Sequence, residues 1–481
     1  MHIILWTGVF NYTVIHRAIG AYQIAWWMRQ HGYQCQVIDF IHFMSKDELI
    51  SYTEKFITGD TICIGASSTF WATDGKKGTS GSNIQEKIQE VILTLREKYP
   101  HVKFVLGGHN ADFVSTENYK LFDASIIGDA EDSFLELVNS WRDHKSIFHP
   151  VTRGGKPFIN AVSNKMFNIE HCDHKFVDND CIIDGEPLPI EISRGCIFKC
   201  AFCQYPHIGK TKFDYLRNFD LIKEELEYNY SRWGTTNYYI LDDTFNDSDF
   251  KMQRWHEITS GLPFKINYSS YLRADLLHRN PHHIDLLRDS GLFSCHIGIE
   301  TFHPEASRLI GKGWCGKEAK SFLPQLKSKW HDIIIRATFI LGIPPETIDD
   351  FNSTLEWLID NKNCAIDSWR FHPLFITPGK RTMSSEFDKN FEKYGFTYDS
   401  KTSQWNTPYF DSTSAYNLAN EFNEMEKTLI IDNWSAISYL GLGVTKQELL
   451  TLSREKITTN LSTFLKKMRL ISNYKNRLKN L

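Results

Sequence analysis

A chain of 481 residues exceeds one ordinary domain, so two or three are expected, and 42% hydrophobic residues suffice for a sizeable core. The formal charge of −4, from 54 Lys and Arg against 58 Asp and Glu, argues against a general phosphate-binding surface. It therefore argues against nucleic acid as a partner and leaves only a local basic groove open. Ten scattered cysteines exclude a disulfide scaffold, and no run approaches about 18 uninterrupted apolar residues, so no membrane-spanning helix is expected.

The opening MHIILWTGVF is apolar but short and lacks a charged leader, so it reads as a first strand at 3–5 and not as a signal peptide. A helix follows at 18–31, ended by Gly32. Strands are expected at 36–40, 61–66, 104–106 and 125–127, with helices at 84–98 and 131–141. This alternation over residues 1–145 is an open, doubly wound α/β pattern, in which ligands sit beyond the carboxyl ends of the strands. Ser67, Ser68 and Thr69 follow the third strand, Gly107, Gly108 and His109 the fourth, and Gly128 the fifth. Small residues there let the backbone approach a bulky ligand. Residues 146–187 read as a connector rich in Gly, Asn, Asp and Lys. Its His171-Cys172-Asp173-His174 cluster invites a metal reading, but adjacent residues rarely converge on one ion, and solvated linker is the expectation.

Strand 188–193 feeds directly into EISRGCIFKCAFC, where Cys196, Cys200 and Cys203 stand in a C-x3-C-x2-C array. Thiolates suit iron–sulfur clusters and zinc, and three of them leave one iron of a four-iron site without a protein donor. Structural zinc would need a fourth Cys or His, for which His207 is near in sequence. Strands at 237–241, 265–272, 295–299, 333–341 and 367–375 then alternate with helices at 221–228, 251–260, 284–290, 322–330 and 349–360. Six such units over 188–375 make a partial barrel, with chemistry expected at the carboxyl ends of its strands. Those ends carry Asp242 and Asp243, Arg273, Glu300, and Gly342 with Pro344 and Glu346. Singly each is weak: the aspartates could cap a helix, Glu300 could pair with Arg273 or Lys312, and the glycine could only turn the chain.

Residues 376–481 carry Trp405, Tyr409, Phe410 and Trp434 and end in KKMRLISNYKNRLK. This segment is expected to cover the open side of the barrel and shape a substrate pocket, its basic end being a solvated amphipathic helix. Cys35, Cys63, Cys172, Cys181, Cys295, Cys315 and Cys364 read as buried small hydrophobes. The fold class is therefore α/β: an N-terminal doubly wound Rossmann-like domain, a partial (β/α)6 barrel of the triose-phosphate-isomerase (TIM) type, and a mostly helical C-terminal segment.

The cysteine array, followed in order by these strand-end residues, resembles the radical SAM superfamily. The resemblance implies a [4Fe-4S] cluster on Cys196, Cys200 and Cys203, with S-adenosylmethionine (SAM) chelating the fourth iron and being cleaved to a 5′-deoxyadenosyl radical. It further implies Asp242 and Asp243 near the SAM amino group, Arg273 at its carboxylate, and Glu300 at the ribose or amine. The backbone from Ile340 through Gly342 to Ile343 would lie along the adenine. The superfamily's GGE motif is absent, and Leu241-Asp242-Asp243 stands in its place.

Residues 1–145 resemble the cobalamin-binding domain that precedes many radical SAM domains, through GAYQIA, GASS, LGGHN and GDAE. The D-x-H-x-x-G motif that supplies a lower cobalt ligand is missing. The resemblance thus implies cobalamin near Ser67, Ser68, Thr69, Gly107, Gly108, His109 and Gly128, held without a protein histidine. His16 and His109 read as polar loop residues, and a Rossmann-like domain without ligand is the alternative. Together these imply a cytoplasmic enzyme that methylates an unactivated carbon of a small molecule or peptide, served by an external electron donor such as flavodoxin or ferredoxin. Two other readings stand beside it: a non-methylating rearrangement or cyclisation, with or without cobalamin, and a non-catalytic metal-binding protein.

Overall fold

The computed structural model describes residues 1–9, 15–71, 82–108, 111, 116–145, 151–161, 167–203, 215–314, 316–362, 364–379, 384–426, 433–451 and 461–481. Seven strands form the first sheet: β1 (His2–Trp6), β2 (Gln34–Ile38), β3 (Thr61–Ser67), β4 (Lys103–Gly107), β5 (Ala124–Ile127), β6 (Thr152–Arg153) and β7 (Lys156–Asn160), in the order β2-β1-β3-β4-β5-β7-β6. All neighbours pair parallel except the β6–β7 hairpin. Ile3, Ile4, Leu5 and Trp6 of β1 are all buried, as befits a central parallel strand covered on both faces. The flanking helices are Ile19–Gln30, Lys46–Phe56, Ser82–Lys98 and Glu131–Arg142. Helix Lys46–Phe56 was not expected. It starts at a capping box of Ser45 and Glu48, an S-x-x-E signal legible in the sequence.

The connector is not solvated linker. Strand β7 pairs with β5 through Ser125↔Phe158 and Ile126↔Ile159, so this stretch extends the first sheet. Ile169, Cys172, Phe176 and Ile182 are buried, which anchors the segment. His174 is buried 3.5 Å from Glu225, and the Cys172 carbonyl accepts from Arg217 at 2.9 Å. Cys172 and His174 of the cluster thus serve packing, while His171 and Asp173 face outward.

The second sheet contains β8 (Leu188–Glu191), β9 (Asn237–Leu241), β10 (Asn267–Leu272), β11 (Leu292–Glu300), β12 (Ile334–Leu341) and β13 (Ser368–Pro373), all parallel and in sequential order. This is the expected partial barrel. Its outward residues, among them Cys295, Ile297, Ala337, Phe339, Trp369 and Phe371, join the main core with the surrounding helices.

The C-terminal segment does more than cover an opening. Helix Ser412–Met425 lies along β13, where Asn423 accepts from the Phe371 N–H and donates to its carbonyl, both at 2.9 Å. Glu426 accepts from the Trp369 N–H at 2.6 Å. These side chains satisfy the free edge of the barrel. Helix Asn433–Gly441 packs under β9 to β12, where Ala436 and Ile437 meet Tyr239, Phe293 and Ile334. A small hairpin, β14 (Thr397–Asp399) with β15 (Gln404–Asn406), carries Trp405.

The basic helix Leu461–Asn480 leaves the barrel and docks on the first domain. Leu470, Ile471, Tyr474 and Leu478 are buried in that domain's core, and Lys475 pairs with Glu48 at 2.8 Å. It is amphipathic as expected, but its apolar face is a structural face. Five of the singly spaced cysteines are buried, Cys364 is exposed, and Cys315 lies outside the described residues.

Candidate active site between the two sheets

Strand β8 runs from the barrel wall straight into the cysteine loop. Cys196, Cys200 and Cys203 are half-buried, and a Cys203 N–H to Cys200 carbonyl bond of 2.9 Å closes the last turn. The Cys196 sulfur sits 3.2 Å from the Thr244 hydroxyl and 3.5 Å from the Phe198 N–H. Burial raises its pKa, and those two hydrogen bonds act in the opposite direction. Arg273 Nη1 lies 3.7 Å from the Cys200 sulfur, and its guanidinium covers the Phe198 ring at 4.1 Å. Among the described residues the three sulfurs do not form a trio within 4.8 Å of one another. A single tetrahedral zinc would draw them closer than that. His207 lies outside the described residues.

The two strand-end aspartates have separate tasks. Asp242 is buried and accepts from Lys251 at 2.7 Å, and Lys251 also pairs with Asp247 at 2.8 Å. The Asp242 carboxylate therefore braces the turn after β9, and the residue also lines the cavity between the two sheets. Asp243 is exposed at the mouth and lies close enough to Cys196 to raise its pKa. Arg273 forks onto Asp275 with two bonds of 2.9 Å, which fixes the guanidinium plane beside the loop. Glu300 is a left-handed residue at φ 70°, buried and 3.4 Å from Lys312. Burial raises its pKa, while Lys312 and Arg273 pull it down. Gly342, at φ 107°, lies under Trp405, whose ring a Cβ at this position would overlap. Its small size admits Trp405 from the C-terminal segment on the side where a Cβ would stand. Ile340 stays on the inner face of β12, paired with His372.

The first domain aims its strand ends at the same loop. A cavity of about 570 Å³ is walled by Ser67, Ser68, Thr69, Gly107, Gly108 and Gly128 on one side. Glu191, Ser193 to Gly195, Leu241, Asp242, Asp243 and Tyr271 wall the other. A Cβ on Gly107 would meet nothing within 4 Å, so this glycine opens directly on the space. Gly108 has φ 119°, and a Cβ there would stand 2.7 Å from Ser68 Oγ. Ser67 Oγ and Thr69 Oγ1 are 2.9 Å apart. His109 lies outside the described residues. His16 is not among the cavity-lining residues, and its ring rests on Tyr239 at 4.8 Å.

One cluster went unread in the sequence. Arg194 bonds Glu131 at 2.6 Å and Glu191 at 2.8 Å, with Asp129 at 3.7 Å, and Gln23 donates to Glu191 at 3.0 Å. Burial raises the Glu131 pKa, against the pull of Arg194. This network ties the GDAE turn to the RGC turn across the cavity floor. The signal was an acidic turn in one half and an arginine before the cysteines in the other, with nothing in the sequence to pair them.

Residues 190–358 match the radical SAM superfamily. The chain is 22% identical over 222 residues to bacteriochlorophyllide d C-12(1)-methyltransferase of Chlorobaculum tepidum, covering 44% of this chain and 47% of that protein. It is 30% identical over 207 residues to the ribosomal protein uS12 methylthiotransferase RimO of Sphingopyxis alaskensis, covering 38% and 44%. The chain thus spans less than half the length of these two curated relatives. Among solved structures it resembles OxsB, a cobalamin-dependent S-adenosylmethionine radical enzyme with aqua-cobalamin and S-adenosylmethionine bound. That likeness has a TM-score of 0.63 at 14% identity, over 98% of this chain and 72% of that one. The methyltransferase TsrM from Kitasatospora setae, with cobalamin and a [4Fe-4S] cluster bound, gives 0.56 at 13% identity over 83% and 80%. At such identities the likeness is one of fold.

Proposed function

Because residues 190–358 are a radical SAM domain, we propose that the chain is a cobalamin-dependent radical SAM methyltransferase acting on an unactivated carbon. The observation that carries this reading is the shared cavity: the small-residue strand ends of the first sheet face the cysteine loop and the barrel mouth across about 570 Å³. A corrinoid fits this chemistry, since Gly107 offers open space and Gly108 brings backbone to the surface. A four-iron cluster fits the three half-buried thiols, with one iron left to SAM. When bound, the cluster with SAM supplies the radical that removes hydrogen from carbon, and the corrinoid supplies the methyl group that replaces it.

The chain's own residues then position and exclude. Cys196, Cys200 and Cys203 hold the cluster, and Thr244 orients Cys196. Arg273, kept planar by Asp275, presents its outer nitrogen beside Cys200, where a SAM carboxylate would accept from it. Asp243 is the acidic partner for the SAM amine, and Glu300 with Lys312 lines the sugar side. Ser67, Ser68, Thr69, Gly107, Gly108 and Gly128 bed the corrinoid, and the Arg194 network holds the two halves in register. The substrate is a small molecule or peptide, and an external flavodoxin- or ferredoxin-type protein supplies the electron. No helix among the described residues is long and apolar enough to cross a membrane. Buried thiols and an oxygen-sensitive cluster call for a reducing compartment, so the cytoplasm is the proposed location.

The test is anaerobic reconstitution with iron, sulfide and hydroxocobalamin. One corrinoid per chain, a cluster chromophore and SAM cleavage support the reading. Corrinoid-free protein that still cleaves SAM would leave a radical enzyme without methyl transfer, and a cluster that never cleaves SAM would leave a binding protein.

A further inference from the structure

A second group of metal-type donors lies away from the cavity. Asp249 opens helix Asp249–Ser260, and His282 and His283 open helix His282–Asp289, which packs against it. Asp249 Oδ1 meets His282 Nε2 at 3.1 Å and His283 Nε2 at 2.6 Å. Adjacent side chains on a helix point about 100° apart and seldom converge by themselves. Here the carboxylate of the neighbouring helix draws both together, and the two rings stand edge to face with centroids 4.6 Å apart. His283 is fully buried, while the side chains of Asp249 and His282 are more than half exposed. Among the described residues, no other trio of His, Cys, Asp or Glu brings its donor atoms within 4.8 Å of one another. None of the three residues walls the cavity between the sheets.

Two imidazoles and one carboxylate are a donor set for divalent ions of the zinc class. A tetrahedral ion about 2.1 Å from each donor holds the donors roughly 3.4 Å apart. His282 is near that spacing from Asp249, and His283 needs less than about 1 Å more, which the exposed carboxylate supplies by turning. The solvent side admits water as the fourth donor. An ion on Nε2 leaves each ring proton on Nδ1, and that atom of His283 is buried with no hydrogen-bond partner. Ligating imidazoles ordinarily donate from this second nitrogen, and loss of the supporting partner costs about 10–100-fold in metal affinity. The arrangement therefore suits an ion that exchanges, not a permanent structural zinc. We propose that Asp249, His282 and His283 bind an exchangeable divalent ion of the zinc class, which clamps these two barrel helices. Two residues beyond Asp249, Lys251 holds Asp242 and Asp247 at the turn after β9. Helix His282–Asp289 follows the turn in which Asp275 fixes Arg273. The ion thus stiffens two turns that border the barrel mouth, without touching substrate.

The reconstituted full-length holoenzyme is passed over a chelating resin and titrated with zinc, while its iron content is followed to show that the cluster stays whole. Wild-type protein takes up one zinc per chain and its thermal midpoint rises. Magnesium, which prefers oxygen donors, gives neither response. X-ray absorption at the zinc edge shows nitrogen and oxygen donors at about 2.0–2.1 Å and no sulfur at about 2.3 Å, where cysteine ligands would appear. Asp249→Asn and His282→Ala alter exposed side chains, and each lowers zinc affinity at least about tenfold, since a ligand is worth no less than its supporting partner. On wild-type protein, bound zinc protects His282 from diethylpyrocarbonate, read by peptide mass spectrometry, which needs no variant to fold. Four results each overturn the proposal: no zinc uptake by wild type, an equal response to magnesium, sulfur in the zinc shell, or unchanged zinc affinity in either variant. All four leave the methyltransferase reading untouched, because corrinoid content and SAM cleavage score that reading.

Discussion

At the scale of single residues, chemistry depends on which side chains remain available once the fold has taken its share. Each of Cys196, Cys200 and Cys203 would be one of only three cluster ligands. Cys196→Ala, Cys200→Ala or Cys203→Ala is therefore expected to abolish the cluster absorbance and SAM cleavage, while Cys35→Ala or Cys364→Ala leaves both. A normal spectrum in Cys200→Ala would remove the assignment. Arg273→Ala and Glu300→Gln should weaken SAM binding with the cluster intact. Losing one charge-assisted hydrogen bond costs about 1.5–3 kcal/mol, which is roughly tenfold to a hundredfold in dissociation constant. The two aspartates should part company. Asp243→Asn is expected to act on SAM affinity, whereas Asp242→Asn removes one of the two carboxylates that hold buried Lys251, leaving Asp247, and should lower stability by about 1.5–3 kcal/mol. Equilibrium dialysis with SAM and urea unfolding separate these outcomes, and identical behaviour of the pair would contradict the geometry.

At the scale of elements, the informative positions are where one segment closes another. Gly107 and Gly108 form the end of β4, but for different reasons. Gly107→Leu fills open space, so it should exclude corrinoid while sparing SAM binding and stability. Gly108→Leu also strains a backbone at φ 119° and should lower stability as well. Corrinoid content after reconstitution reads both. His16→Ala and His109→Ala are expected to leave the cobalt spectrum base-off and unchanged, and a nitrogen-ligated signal lost in either variant would overturn that. The β13 edge gives an independent check. Asn423→Leu leaves the Phe371 N–H and carbonyl without these partners, at about 1–3 kcal/mol per buried group. A drop in the urea midpoint is expected, with the cluster retained at low denaturant.

At the scale of the whole molecule, the ends of the chain meet in the first domain. Arg17 is buried against Glu186 of the connector at 2.8 Å, donates to the Asp180 and Cys181 carbonyls, and lies 5.0 Å from the Tyr474 ring of the last helix. Tyr474 in turn accepts no less structural a role, its hydroxyl lying 2.7 Å from the Asp39 N–H. Arg17→Met leaves Glu186 buried and uncompensated, so a loss of about 3–5 kcal/mol is expected, seen as early unfolding of the first domain. The same interface carries a pH dependence. Burial first, and then Lys87, Lys467 and His16, push His42 from 6.5 down to about 3. Folded protein keeps this histidine neutral while unfolded chain protonates it below 6.5. Its stabilising contribution is therefore full above pH 6.5 and is lost as pH falls toward 3. The unfolding free energy should decline by up to about 1.4 kcal/mol per pH unit in that window, and His42→Leu should flatten the slope. An unchanged slope in His42→Leu would assign the acid sensitivity elsewhere.

The sequence by itself determined the two α/β halves, the strand ends proposed to carry function and the spacing of the three cysteines. Period and spacing are local properties: apolar runs between turn residues place strands, and C-x3-C-x2-C lies within eight residues. Tertiary structure decided what those residues do once placed. Asp242 and Asp243 are adjacent in the chain, yet one is buried on Lys251 and the other faces the mouth, because successive residues at a strand end point to opposite sides. Gly342 read as part of a ligand-facing backbone, and Trp405, 63 positions on, fills the space where its side chain would stand. The connector became a sheet edge, and the basic tail became part of the first core, because each buried apolar surface that only the distant segment completes. Arg194 with Glu131 is likewise a pairing between separate elements, and no local pattern encodes a partner that the fold alone brings near.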